Sequence, residues 1–318
     1  MTTPPTPSTP PTPSTPPTPY QQPQPQPQQP QAPAPRQPVP SQGHVPHQPA
    51  PYASPIPARR AHLGDALVSE WTKLRSVRST MWSLGVMILL MVGIGLLAAV
   101  IVAATRDGVE GEINTSGESM LTLGFFGVLL STLCVMTLGV LTMSSEYGTG
   151  MIRTTLTACP SRGRVLAAKA LVFFGVVFTV STLTTLVVAA LQISIIDASA
   201  PATSEWLRAT VGVSLYLSLL GLLSMAVGAL VKHSAGGITV MVGLVLVPLV
   251  LAMFMFSRSL RGVQDFLFAY SIPSQLIQFY GAAFGDRGPH GWAPLWIILG
   301  MTAIAMAGAY FSLDRRDA

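Results

Sequence analysis

The chain has 318 residues and a formal net charge of +5, and only 10% of its residues are Asp, Glu, Lys or Arg. Ordinary soluble domains carry about 25% charged residues, so this composition, with a mean hydropathy of +0.51, excludes a water-soluble fold and makes the lipid bilayer the first solvent to consider. The basic residues flank apolar stretches and form no single patch, which argues against a nucleic-acid partner. Two cysteines, Cys134 in an apolar stretch and Cys159 in a loop, supply no disulfide framework.

Residues 1–57 hold 22 of the 28 prolines, first as Thr-Pro and Ser-Thr-Pro runs up to Pro19 and then as a Gln-Pro run from Gln21 to Gln37. Proline fixes φ and removes backbone donors, so the expectation is a disordered, polyproline-II-like tail. No apolar core of a signal peptide precedes the first apolar stretch near Met81. The composition fits a solvated tether first, with a docking or Ser/Thr-phosphorylation segment as the sharper alternative, since many Ser and Thr residues precede Pro.

Residues 58–81 read as an amphipathic helix. Leu63, Leu67, Trp71, Leu74, Val77 and Met81 recur every three or four residues, with Asp65, Ser69, Lys73, Ser76 and Arg78 on the other side. Such a helix is expected to lie flat on the inner leaflet, with Lys73, Arg75 and Arg78 near anionic lipid. It serves either as a plain anchor or also as a partner-contact surface.

From residue 82 onward the fold class is an all-α membrane protein with six transmembrane helices. A bilayer core of ~30 Å needs roughly 20 apolar residues in a helix. Six stretches qualify: 82–104, 120–143, 170–196, 209–231, 236–256 and 292–311, none with an Asp, Glu, Lys or Arg. Backbone groups in lipid must pair within their own segment, and barrel strands would be shorter and alternate in polarity. With both termini cytoplasmic (N-in/C-in), the inside flanks carry 12 Lys and Arg residues and the outside loops carry 5, the bias expected of a cell-membrane protein. The acidic first outside loop (Asp107, Glu110, Glu112, Glu118) agrees with that orientation. Gly93 and Gly95, Gly124 and Gly127, and Ser224 with Gly228 suggest close helix contacts.

The longest inside loop is Ser144–Lys169. Ile152 and Leu156 share a helical face, Pro160 should end that short helix, and Ser161 is placed to cap the helix that leads into the third span. A short helix there can carry force from a partner. Outside, Phe266–Ile277 is apolar but too short and interrupted to cross, so it reads either as helices dipping back into the membrane or as a surface-packed loop.

Two segments stand together: Ser69-Glu70-Trp71-Thr72-Lys73-Leu74-Arg75-Ser76 before the first span, and Glu146, Gly148-Thr149, Ile152-Arg153, Leu156, Pro160, Arg162 and Ala168-Lys169 after the second. In these residues the chain resembles the permeases of actinobacterial type-2 ABC transporters. The resemblance covers about Ala61 to Ser312. It implies that two permease subunits, alike or different, pair with two ATP-binding-cassette ATPase subunits. The loop after span two would then be a coupling helix seated in a cleft of the ATPase. Carried onto this chain, Glu146, Thr149, Arg153 and Arg162 are the ATPase contacts, with Glu70, Lys73 and Arg75 secondary. Export of an apolar or amphipathic substrate is the implied activity.

The residues leave other classes open. No Gly-x-x-x-x-Gly-Lys-Ser/Thr loop is present, so ATP-driven transport would need its engine on another chain. An ion-coupled secondary transporter usually places ionisable groups at membrane depth, which these spans lack, although sites made of carbonyls and hydroxyls escape that test. A regulatory or sensory subunit with the tail as its effector is a further reading. An intramembrane enzyme is disfavoured, because His44, His47, His62, His233 and His290 all lie outside the spans and no catalytic, metal or cofactor constellation forms within them.

Overall fold

A computed structural model describes residues 62–106, 120–151, 154–155, 161–283 and 288–314. The Pro-rich tail, the acidic loop and Arg153 lie outside the described residues. The protein is a multi-pass membrane protein, and all six expected spans are present as helices long and apolar enough to cross a bilayer. The described residues contain no strand. The outward faces are apolar: Phe254 and Trp296 are each 72% exposed and Ile304 76%. A contiguous oily surface of this kind is tolerated in lipid and marks an interaction site in water.

Helix α1 (Leu63–Ser76) opens with a reciprocal cap, in which the backbone N–H of His62 donates to Asp65 Oδ2 at 2.9 Å. It stops at Val77, whose extended backbone (φ −80°, ψ 114°) turns the chain before α2 (Arg78–Arg106). The expected 58–81 helix is therefore shorter and separated from the first span by a one-residue break. Helix α3 (Phe125–Gly148) follows a single 3-10 turn, and α4 (Arg162–Ile196) ends on Asp197 in the left-handed region (φ 51°). The fourth span enters as α5 (Thr203–Leu207), widens into one π-helical turn (Arg208–Gly212) and continues as α6 (Val213–Val231). Only Lys232 and His233 separate α6 from α7 (Ser234–Phe254). Lys232 takes a left-handed φ of 59°, and His233 caps α7 by accepting from Gly236 N at 3.1 Å. The last span is α10 (Ala293–Asp314).

Helix α6 is the axis of the bundle: 78% of its most apolar window is buried, against 17–22% for α2, α7 and α10. It contacts α3, α4, α7 and α10. Small residues set its closest approach. A Cβ on Gly228 would lie 2.7 Å from the carbonyl oxygen of Val140, and one on Gly139 would collide with Gly221 and Ser224. The Ser224/Gly228 pair is thus a packing seam with α3, and Gly127 packs in the same way on the α2 backbone. Gly93 has open space around it and takes no part.

The segment expected to dip back consists of two short helices, α8 (Arg261–Tyr270) and α9 (Ile272–Ile277), the second extended by a 3-10 turn to Tyr280. Phe266 and Tyr270 stay exposed, whereas every residue from Ser271 to Tyr280 is buried. Phe279 packs edge-on against Tyr216 and Tyr280 against Phe125. Buried Gln275 is satisfied at both ends, donating to Tyr270 O at 2.8 Å and accepting from Tyr216 Oη at 3.4 Å. This hairpin therefore plugs the end of the bundle opposite α1. The segment is thus made of short helices, and its second half packs into the bundle instead of forming a surface loop.

Overpacking at a backbone contact costs roughly 1–3 kcal/mol. Gly228→Ala is therefore expected to lower the thermal unfolding midpoint of the purified protein in detergent by several degrees, whereas Gly93→Ala leaves it unchanged or raises it. Equal responses from the two variants would contradict the α3–α6 seam.

Candidate functional site

Glu146 lies in the last turn of α3, where the helix dipole disfavours a carboxylate. Lys169 lies two turns into α4, and Glu70 and Lys73 share one face of α1 three residues apart. These four residues meet in one network at the α1 end of the bundle. Lys169 Nζ donates to Glu70 Oε2 at 2.8 Å and to Glu146 Oε1 at 2.7 Å. Lys73 Nζ donates to Glu70 Oε1 at 2.6 Å and to the same Glu146 Oε1 at 3.2 Å. Glu70, Glu146 and Lys169 are 3%, 6% and 2% exposed, which puts three charges essentially out of water.

Charges taken out of water cost several kcal/mol each unless paired and hydrogen-bonded. Two carboxylates and two ammonium groups cancel here. Burial pushes the Glu70 carboxyl up, but Lys169 first and Lys73 second hold it below its ordinary value of 4.5. Burial pushes Lys73 down, and Glu70 and Glu146 together hold it above 10.5. One atom is left over: Glu146 Oε2 is buried and has no hydrogen-bond partner among the described residues.

The network is three-way. It ties α1, which lies outside the spans, to the ends of α3 and α4, the two helices joined by the loop after span two. That loop is shorter than the expected Ser144–Lys169, because helix continues to Gly148 and resumes at Arg162. The Glu146–Lys169 ion pair ties these two extensions together beyond the apolar windows. Within the loop, Thr154 and Thr155 donate from their hydroxyls back to Met151 O at 2.8 and 3.0 Å, the i−3 and i−4 pattern of a helical turn. Ser161 takes the N-cap position of α4 with an extended backbone.

The residues expected at a partner surface are dispersed. Thr149 is exposed at the end of α3, its hydroxyl donating to Ser145 O at 2.8 Å, and Arg75 is exposed on α1. Glu146 is not on the surface but inside the network, as is Glu70. Lys73 was expected on the solvent side of α1. It points inward, because two buried carboxylates outcompete lipid headgroups for its ammonium. Arg162 is half-buried and donates to the last carbonyls of α10, Leu313 O at 2.5 Å and Asp314 O at 3.2 Å. This guanidinium offsets the negative end of that helix. A further bridge joins α6 to α3 at the same end, with Lys232 Nζ 5.2 Å from the ring centre of Tyr147.

Lys169 is the member that a surface-contact reading of the sequence misses. Its signal is there: a lone lysine eight residues past a Pro-Ser cap, at the mouth of a long uncharged span. In comparisons with known proteins, no family model matches the chain and no curated protein matches its sequence.

The network sets a pH window. Glu70, with a depressed carboxyl, contributes stability that is complete above 4.5 and is lost as pH falls through its folded value. Lys73, with a raised ammonium, contributes stability that is complete below 10.5 and is lost as pH rises through its folded value. Melting temperatures in detergent should therefore fall less steeply below pH 4.5 for Glu70→Gln than for the parent protein, from a lower plateau. Parallel curves at every pH would show that Glu70 is not held in its charged form by the fold.

Proposed function

We propose that the chain is the membrane-spanning permease subunit of a type-2 ABC transporter, driven by ATP hydrolysis on a separate ATPase subunit. The observation that carries this reading is the meeting of the two segments on which the resemblance rests. Glu70 and Lys73 come from the first, and Glu146 and Lys169 from the second. They are 73 to 99 residues apart along the chain in the pairs Lys73–Glu146 and Glu70–Lys169, yet form one buried network.

In mechanical terms, a partner pressing on exposed Thr149, Gly150 and Met151 at the end of α3 would push on the helices that the loop after span two joins, α3 and α4, together. Through Lys169 and Glu146 the same push reaches α1. A rigid, charge-paired junction transmits such a displacement, whereas a solvated loop would absorb it. Glu146 and Glu70 then act as positioning residues that hold the junction, and direct contact falls to exposed Thr149, Arg75 and the sequence-expected Arg153. The orientation consistent with this role places the α1 end in the cytoplasm of a cell-membrane protein, as the distribution of Lys and Arg suggests. Paired permease subunits, like or unlike, complete the assembly. An exported apolar or amphipathic cargo is in keeping with the uncharged spans.

An ion-coupled carrier is the competing reading. The charged network sits at one end of the spans rather than at mid-depth, where coupling ions are usually held, and this favours the ATP-driven reading.

Purification of the chain from its native membrane should bring down an ATP-binding-cassette ATPase in roughly equal amount. Thr149→Trp should weaken that association at least several-fold without lowering the melting temperature, because Thr149 is exposed. Isolation of the chain alone, with transport that follows an ion gradient and ignores ATP, would overturn the proposal.

A further inference from the structure

A cleft of about 410 Å³ opens between the end of α1, the start of α2 and the end of α3. Its volume falls within the range of about 300–1,000 Å³ typical of small-molecule sites. One part is apolar, formed by Leu74, Leu138 and Leu141, and another is formed by Val77, Ser79 and Thr80 at the start of α2. From Ser145 down α3 to Leu138 is seven residues, so the cleft runs about 10 Å along that helix, from the end of a span toward its interior. The ion network borders the cleft and offers it no open carboxylate, because Glu70 and Glu146 are buried and Glu146 Oε2 is sealed from solvent.

The start of α2 is uncapped. The residue before it is Val77, whose side chain has no acceptor to give. A helix leaves its first N–H groups unpaired and carries about half a positive charge at that end. Val77 O accepts from the N–H groups of Thr80 and Met81 at 3.1 and 3.4 Å, and those of Arg78 and Ser79 have no partner among the described residues. Thr80 is 5% exposed, yet its hydroxyl donates to no described residue and, unlike Glu146 Oε2, keeps surface open to solvent. On the α3 side the hydroxyls of Thr142, Ser145 and Thr149 all donate to carbonyls of their own helix. Lys73 is committed to Glu70 and Glu146, and its network is electrically neutral. The free donors of the cleft therefore gather at the positive end of α2.

We propose that this cleft binds an anionic phospholipid, with its phosphate on the first turn of α2 and an acyl chain along Leu74, Leu138 and Leu141. The phosphate oxygens would accept from the Ser79 and Thr80 hydroxyls and from the free N–H groups at the helix start. A headgroup of net negative charge suits the positive helix end. A zwitterionic headgroup brings an ammonium for which no open carboxylate lies beside that end. Inorganic phosphate would meet the same donors and leave the apolar part of the cleft unfilled, and an apolar helix from a second copy of this chain would leave the donors unmet. The assignment is independent of the transporter reading, because it needs only the cleft and a bilayer beside it.

The test uses the delipidated full chain in detergent. Phosphatidylglycerol, phosphatidylethanolamine or phosphatidylcholine with identical acyl chains is added, and the lipid retained per chain is counted by native mass spectrometry. One phosphatidylglycerol should be retained about fivefold more strongly than either zwitterionic lipid, the preference expected of one net charge at a helix terminus, and excess inorganic phosphate should not displace it. Val77→Asp supplies a capping carboxylate at the start of α2. It should abolish the preference while leaving the melting temperature in lipid-free detergent unchanged or raised. The double substitution Ser79→Ala with Thr80→Val should weaken retention of phosphatidylglycerol several-fold. Equal retention of the three lipids, retention of none, displacement by inorganic phosphate, or a preference that survives Val77→Asp would each overturn the proposal.

Discussion

Charge at the edge of a membrane protein must be solvated, paired or removed, and three of the four charges in the network at the α1 end of this bundle have left water. Glu70, Glu146 and Lys169 are buried, and Lys73 closes the circuit. Breaking one partner out of such a network strands the others, at a cost of about 3–5 kcal/mol. The geometry of α1, α3 and α4 is therefore mutually dependent at that end.

The two ends of the bundle are held by different forces. The α1 end depends on ion pairs, the Arg162 clamp on α10 and the Lys232–Tyr147 contact. The opposite end is closed by shape: the α9 hairpin is buried between α3 and the π-turn that precedes α6, with Phe279, Tyr280, Tyr216 and Phe125 as its packing core. The π-turn has a steric purpose here. Gly212 lies in it, and a Cβ at that position would be 2.8 Å from the Phe279 ring. A bulged helix with a glycine at the bulge lets the hairpin aromatic approach. Between the two ends, small residues on α3 and α6 let the backbones approach where lipid supplies no hydrophobic drive.

Much of this was legible in the residues. All six spans can be read from uncharged apolar length, since the bilayer thickness imposes a minimum that no other fold requires. The boundaries were less legible, because an apolar window ends at the first charge while a helix ends where its backbone does. That is why Glu146 and Lys169 read as loop residues and are helical. The α1 pattern was read on its apolar members, and Leu74 and Leu67 do pack inward to differing degrees, but Trp71 and Leu63 remain exposed. Glu70 was read as a secondary surface contact, whereas it is buried. Periodicity places a carboxylate on a helix face, yet only the position of Lys169, 99 residues further on, decides whether that face is wet or dry.

The most direct test of the junction is a double-mutant cycle between Glu70 and Lys169. Denaturant unfolding would be measured on the parent, Glu70→Gln, Lys169→Met and the double variant. A coupling free energy of at least about 1.5 kcal/mol is predicted for two hydrogen-bonded buried charges. Additive effects within the usual ~0.5 kcal/mol of independent sites would mean that α1 is not bound to α4 through this pair.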